Sequence, residues 1–224
     1  MQDSRLQNIF ESSCDLFINL GYTETKMKDI AKKSNISVGS MYDLFTSKKA
    51  LLDFIFMTTL DESQIQYSGD LPIQGIDNST LVKKTKNTYE LKTEQLDQNL
   101  TEKNSKFTLE SLITELFELF NIYGRYFLIL EKNPNINREL IGLYENYRNK
   151  LYKNISTYLS NNIVSGKIRS LDNPFYDSML IVDLIFWWAT HKKYDSFENS
   201  KNNYSMDLME KSISETLLQG YLEK

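Results

Sequence analysis

The stretch KKSNISVGSMYDLFTSKK, Lys32 to Lys49, sets the reading of the chain. Asn35 is one of the few non-glycine residues that tolerates the left-handed backbone of a tight turn. Ser37 and Ser47 each precede a helix-compatible run, and each offers a side-chain oxygen to cap free backbone amides. The segment therefore reads as a helix end, a tight turn, a helix of barely two turns from Val38 to Phe45, and a new helix after Ser47. Ile30, Ala31, Ile36, Met41 and Phe45 point inward, with Ala31 small where two helices must cross closely. Val38, Ser40, Tyr42 and Asp43 remain on the short helix's other side. This is the pattern of a helix-turn-helix, whose second helix can enter the DNA major groove. Its N-terminal residues would face base edges, with Tyr42 and Lys48 in reach of phosphates.

Working outward, Leu6, Ile9, Phe10, Ser13, Phe17 and Leu20 recur at helical spacing over residues 4–20, and Gly21 follows as a stop. Thr25 is placed to cap a second helix running to Ser34. Ala50, Leu51, Phe54 and Ile55 carry a fourth helix to about Thr59. Residues 62–107 are polar and read as an insertion: either an exposed helix with sparse contacts at Leu81, Tyr89, Leu96 and Leu100, or a partly disordered segment. From Thr108 the helical pattern tightens, through Leu109, Leu112, Ile113, Leu116, Phe117, Phe120, Tyr123 and Phe127, until Pro134 breaks it. Another long helix covers 137–165 and ends near Gly166. Pro174 opens a helix to about His191 that is apolar nearly all round and should be buried on most sides. Met206, Met209, Ile213, Leu217 and Gly220 form one stripe on a C-terminal helix. The fold expected is all-α, with a helix-turn-helix domain over 1–47 and a larger helical domain over 48–224.

Composition agrees. Among 224 residues there are only 8 Gly and 3 Pro, which favours long helices. One cysteine, Cys14, and one histidine, His191, exclude an intrachain disulfide and a Cys/His zinc site, so no metal is expected. The N-terminus lacks a signal-peptide pattern, and the most apolar run, MLIVDLIFWWA from Met179, is too short to span a bilayer and contains Asp183. A cytoplasmic protein with no membrane contact is expected. The net charge is −4, but Lys26, Lys28, Lys32, Lys33, Lys48 and Lys49 face only Glu24, Asp29 and Asp43 between residues 24 and 49. A weakly basic patch thus sits on an acidic body, a distribution compatible with local DNA contact but weak evidence on its own. GxGxxG, Walker, GxSxG and HExxH patterns are absent, so neither an enzyme nor a cofactor is indicated.

IFESSCDLFINLGYTETKMKDIAKKSNISVGSMYDLFTSKKALL, within residues 5–55, resembles the DNA-binding domain of the TetR family of bacterial transcriptional regulators. The shared features, in order, are a helix ending in Leu-Phe, Gly-Tyr, Thr, Asp-Ile-Ala, a Val/Ile-Ser-x-Gly turn, Tyr-x-x-Phe and Ser-Lys. The resemblance implies that Thr25 caps the second helix and touches the DNA backbone. It implies that Ser37, Gly39, Ser40 and Tyr42 lie at the DNA surface, and that Lys48 meets a phosphate. Three positions depart from the pattern. Lys26 replaces a second Thr and adds charge, Asn35 replaces a Gly in the turn, and Leu44 stands where a Tyr or His contacts phosphate. The resemblance further implies a ligand-binding domain, with dimerisation through the last two helices.

Within that second domain Asp183 is conspicuous, because a charge on an apolar helix must be paired or hydrated. Two readings follow: a counter-charge for a cationic ligand walled by Phe120, Tyr123, Phe127 and Trp187, or an internal salt bridge. His191 reads as a helix C-terminal cation or a ligand hydrogen-bonding group. The 206–220 stripe reads as a dimer seam, or alternatively as intrachain core. The expected protein is a homodimeric repressor that binds a palindromic operator in double-stranded DNA and responds to a small-molecule effector. The alternative is a TetR-like module that has lost DNA binding and docks a partner protein.

Overall fold

The local signals for helix ends are realised in the backbone. The computed structural model describes residues 4–101, 107–197 and 205–223. Among them every regular element is helical, beyond two isolated bridges, Phe45 with Ile73 and Ile168 with Leu222. Helix α1, Ser4–Asn19, buries Leu6, Ile9, Phe10 and Phe17 and ends at Gly21, whose φ of 92° lets its N–H reach the Leu16 carbonyl at 3.1 Å. Helix α2, Met27–Lys33, is followed by Asn35 at φ 56°, the left-handed turn residue expected. Helix α3, Val38–Leu44, starts where Ser37 Oγ accepts from Ser40 N at 3.0 Å. Helix α4, Lys48–Leu60, starts where Ser47 Oγ accepts from Ala50 N at 3.0 Å.

The chain then doubles back onto this module. After a 3-10 turn at Glu62–Gln66, Ile73 N donates to Leu44 O at 2.8 Å and Ile73 O accepts from Thr46 N at 3.1 Å. Buried Asp53 on α4 holds the same segment, accepting from Ile76 N at 3.1 Å and from the Lys49 ammonium at 2.5 Å. The stretch expected as a polar insertion next forms helix α5, Asn78–Thr101. It packs on α7 and α4 and buries Leu81, Tyr89, Leu96 and Leu100, so these four residues make a seam rather than sparse surface contacts.

Helix α6, Leu109–Lys132, begins at a Thr108 cap and runs through the bundle against α1, α4, α7, α8 and α10. Helix α7 covers Arg138–Val164, and Gly166 at φ 71° turns the chain at its end. Helix α8, Pro174–Phe186, carries proline in its first turn, as expected. It continues through a π-helical segment, Trp187–His191, into the single turn α9, Lys192–Tyr194. Helix α10 covers Met206–Tyr221. No helix among the described residues is long and apolar enough to cross a membrane.

Two expectations are corrected. Helix α8 is not enclosed on most sides: Ile181, Val182 and Ile185 face the core, but Tyr176, Leu180 and Trp187 are exposed, Leu180 by 54%. On α10, Ile213 and Leu217 are buried in the chain's own core and Met209 packs against it. Ile213 and Leu217 thus serve the intrachain core, because α10 turns them toward α6 and the π-helical segment. Met206 is only half-buried, and Gly220 stands in open space at the far end.

Helix α6 and the π-helical segment approach closely at Gly124. A Cβ there would lie 2.8 Å from Thr190 Cγ2 and nearer still to its Oγ1, and Thr190 is fully buried. Gly124→Ala should therefore destabilise the fold by about 1–3 kcal/mol through overpacking, despite alanine's better helix propensity. Thermal unfolding followed by circular dichroism checks this; an unchanged or raised midpoint would show that α6 and the π-helical segment are not in contact.

Candidate nucleic-acid interface and a neighbouring cleft

The surface that could meet DNA is small and well supported from behind. Met41 and Leu44 anchor α3 in the core, which leaves Ser37, Val38, Gly39, Tyr42 and Asp43 outward. Tyr42 is 51% exposed and Val38 43% exposed, so both side chains are free to meet a partner. Ser40 is half-buried and its Oγ lies 2.9 Å from Ser37 Oγ, so these two hydroxyls are oriented together at the start of α3. Lys26 and Lys28 are exposed on the neighbouring helix start, where Asp29 Oδ2 accepts from Lys26 N at 2.9 Å. Leu44 is buried and offers a phosphate nothing.

Two of the site residues expected from sequence are placed differently. Thr25 is 0% exposed; its Oγ1 donates to Gly21 O at 2.7 Å, and Lys26 instead holds the N-cap position of α2. Thr25 therefore closes the α1–α2 loop from inside and presents no surface to DNA. The Lys48 ammonium is likewise committed: it donates to Tyr22 O at 2.8 Å and Thr25 O at 2.9 Å, and it lies 4.2 Å from the centre of the Tyr22 ring. Partial burial lowers its pKa, against the pull of Glu24. Lys48 thus ties α4 to the loop between α1 and α2. A side chain that serves as a structural clasp cannot be told from a phosphate contact by its position beside a helix start.

The same loop is held from the body of the molecule. Asn133, just past α6, accepts from Tyr22 N at 2.6 Å and donates to Phe17 O at 2.9 Å. Arg125 of α6 grips Glu11 of α1 through two contacts at 2.6 and 2.8 Å. Asn19 donates to Tyr194 O at 3.2 Å and accepts from Ser196 N at 2.7 Å. Cys14 lies inside α1's buried face, and burial pushes its thiol up, away from reactivity.

A cleft lies deeper in the bundle. Phe120, Phe127 and Asp183, expected as ligand residues, line it together with Tyr144, Tyr147, Arg148, Leu151, Val182 and Phe186. In this state its free volume is about 10 Å³, room for roughly one water. Tyr123 faces a different, outer groove. Trp187 and His191 line neither: the two rings stack at 4.5 Å, and His191 Nε2 sits 3.5 Å from Glu131 Oε2. The wider π turn shifts the helical phase on which their expected facing depended. Asp183 proves paired, accepting from Arg148 Nη2 at 2.7 Å and Tyr152 OH at 2.6 Å. Arg148 also lies 3.3 Å from Glu131 Oε1, which accepts from Tyr144 OH at 2.5 Å. Arg148 was not singled out from sequence, although a carboxylate on an apolar helix calls for a cation partner, and Arg148 follows directly on an inward tyrosine of α7.

Residues 9–55 match the family model described as bacterial regulatory proteins, tetR family. The chain is 37% identical over 62 residues to the uncharacterized HTH-type transcriptional regulator YhgD of Bacillus subtilis (strain 168). That match spans 28% of this chain and 32% of the relative. Two solved structures are similar over nearly the whole chain. The ketosteroid transcriptional regulator KstR2 of Mycobacterium tuberculosis has a TM-score of 0.60 at 15% identity, covering 100% of this chain and 98% of that one. AibR, solved with isovaleryl coenzyme A and operator DNA, has a TM-score of 0.51 at 15% identity, covering 96% of each chain. Residues 9–55 are thus similar to the DNA-binding module of that family, and the helical fold of the chain is shared with these solved structures.

Two substitutions separate clasp from contact surface. Lys48→Ala should lower unfolding stability by about 1–3 kcal/mol, since it strands loop carbonyls, and should speed amide exchange in residues 21–26. Tyr42→Ala should leave the unfolding free energy within about 0.5 kcal/mol of the parent. Equal stability of the two variants would remove the structural role assigned to Lys48.

Proposed function

We propose that the protein is a ligand-responsive transcriptional repressor that binds a palindromic operator as a homodimer. The observation that carries the reading is the exposed face of α3: Ser37, Val38, Gly39 and Tyr42 lie outward on a short helix whose other side is locked into the core. Lys26 and Lys28 flank that face with positive charge. Val38 and Tyr42 supply apolar and hydroxyl groups for base edges and phosphates, and the free amides at the start of α3 favour an anion.

A dimer supplies the second recognition helix, about 34–36 Å from the first. The exposed Tyr176, Leu180 and Trp187 of α8, with Leu208 of α10, are the apolar surface that a second copy would cover. In this reading Ile213 and Leu217 support the interface from behind. AibR, solved with both an acyl coenzyme A and operator DNA, lends the fold a precedent for effector control.

Effector control requires a ligand with different affinities for two states. The last turn of α6 is placed to connect them. Glu131 faces Arg148 of the cleft, Lys132 pairs with Asp195 at 2.6 Å, and Asn133 holds the α1–α2 loop. Opening the cleft around Arg148 would move Glu131, and with it the residue that sets the module's orientation.

The test is selection of bound sequences from random duplex DNA by the full chain, with Tyr42→Ala in parallel. The wild type should enrich a palindrome, with an affinity that falls as salt rises at a log–log slope of about −0.9 per phosphate contacted. Tyr42→Ala should lose that enrichment while staying folded. Failure of a folded wild type to enrich any sequence at low salt overturns the proposal. For the dimer, Leu180→Glu with Trp187→Glu should halve the mass measured by light scattering; an unchanged mass would move the interface elsewhere.

A further inference from the structure

A helix of seven residues, as α3 is, has too few internal hydrogen bonds to hold itself, so the angle at which it is presented depends on what holds its ends. Its start is set within the module, by Ser37. Its end is not. Phe45 leaves α3 in an extended conformation, and Ile73 runs parallel beside it. Ile73 N donates to Leu44 O at 2.8 Å, while Ile73 O accepts from Thr46 N at 3.1 Å and from Thr46 Oγ1 at 3.2 Å. Ile73 is buried in the same core as Phe45. The backbone on both sides of this turn is thus held by a segment that lies outside the module matched over residues 9–55.

Two further attachments follow along the same segment. Asp53 of α4, 1% exposed, accepts from Ile76 N at 3.1 Å, with the Lys49 ammonium on its other oxygen at 2.5 Å. Gly75 runs so close to α4 that a Cβ there would lie 3.3 Å from Asp53 Oδ2 and 3.9 Å from Ala50 Cα. Asn78, the first residue of α5, then donates to Glu139 Oε1 and accepts from Asn137 Nδ2, each at 2.6 Å. Asn137 is the N-cap of α7. Helix α7 carries Tyr147 and Arg148 of the cleft, and Tyr147 stacks on Tyr89 of α5 at 4.7 Å. The segment therefore meets the end of α3 at Ile73 and the start of α7 at Asn78, with Asp53 gripping it between them.

We propose that Ile73–Asn78 is a strap that positions the recognition helix, with Asp53 as its clamp and Asn78 as its anchor on the body. These are positioning residues: they act through Leu44 O and Thr46 N rather than by touching DNA. Side chains that read base edges must be held to about 0.5 Å, and the buried face of α3, Met41 and Leu44, leaves a helix this short free to pivot unless its end is fixed. A buried carboxylate is an expensive way to fill a core, and its two bonds here fix where the backbone at Ile76 crosses α4. The strap is also a second connection between the cleft and the module, separate from the one at the end of α6. The inference rests on the DNA-binding reading above and names residues outside the contact surface on which that reading depends.

Amide exchange and operator affinity of the full chain test this, the operator being the sequence enriched in the selection above. Asp53→Ala leaves Ile76 N without its acceptor, whereas Asp53→Asn keeps one. Asp53→Ala should speed exchange of the Thr46 and Ile73 amides about tenfold or more. It should also weaken operator binding about tenfold, with the salt slope unchanged because the same phosphates are met. Asp53→Asn should recover both. Asn78→Ala, an exposed change that decides the matter should Asp53→Ala not fold, should shift exchange and affinity in the same directions with the unfolding midpoint near that of the parent. Asn78→Asp combined with Glu139→Gln reverses donor and acceptor and should return the wild-type values. Wild-type exchange at Thr46 and Ile73 in folded Asn78→Ala overturns the strap. Faster exchange with unaltered operator affinity overturns its positioning role. The exchange measurement needs no DNA, so a wild type that enriches no operator counts against the DNA reading, and exchange alone then judges the strap.

Discussion

The loop between α1 and α2 is held from two directions at once, and the orientation of the helix-turn-helix depends on it. Asn133 reaches it from the end of α6, pairing with Tyr22 N and Phe17 O, and Lys48 reaches it from α4 through the carbonyls of Tyr22 and Thr25. Thr25 fills its interior and closes it onto Gly21. A loop this short has no core of its own, so side chains from elsewhere must satisfy its polar groups. The consequence is mechanical. The module cannot rotate against the body without breaking several charge-assisted or amide hydrogen bonds, each of which costs more to leave unmade than it contributes when formed.

This constraint also explains what could be read from the sequence. Features set by neighbours along the chain were legible: the caps at Ser37 and Ser47, the left-handed turn at Asn35, the stops at Gly21 and Gly166, and proline at the start of α8. Features set by residues far apart in sequence were not. Thr25 and Lys48 carry residue types that suit DNA contact, and only the tertiary position of Gly21, Tyr22 and Asn133 turns them inward. The α10 stripe has the same ambiguity. Helical periodicity says that Ile213 and Leu217 share a face but not whether a neighbouring helix or a second chain covers it.

Helix α5 shows the limit from the other side. Its apolar residues Leu81, Tyr89, Leu96 and Leu100 are spaced too widely for a broad amphipathic face, so its sequence looks unanchored. A narrow seam is nevertheless enough when the partners are large rings: Tyr89 stacks on Tyr147 and meets Tyr126 and Phe127 edge-on or tilted. Few contacts of large area replace many of small area. The π-helical segment defeats periodicity differently, since one widened turn changes which residues face inward after Phe186.

The pairing of Asp183 bears on function in a way the choice between ion pair and ligand site obscures. Arg148 is held by Asp183, Tyr152 and Glu131, so the cleft carries no stranded charge. A ligand that opens the cleft must therefore compete with those bonds, and the competition is felt at Glu131. Glu131, Lys132 and Asn133 are consecutive, and one helical turn cannot move its first residue freely while its third stays fixed. Glu131, which pairs with the arginine of the cleft, and Asn133, which holds the α1–α2 loop, thus adjoin at the C-terminal end of α6. In the proposed ligand-responsive reading, that adjacency is the route by which a ligand at the cleft would reach the helix-turn-helix without long-range rearrangement of the core.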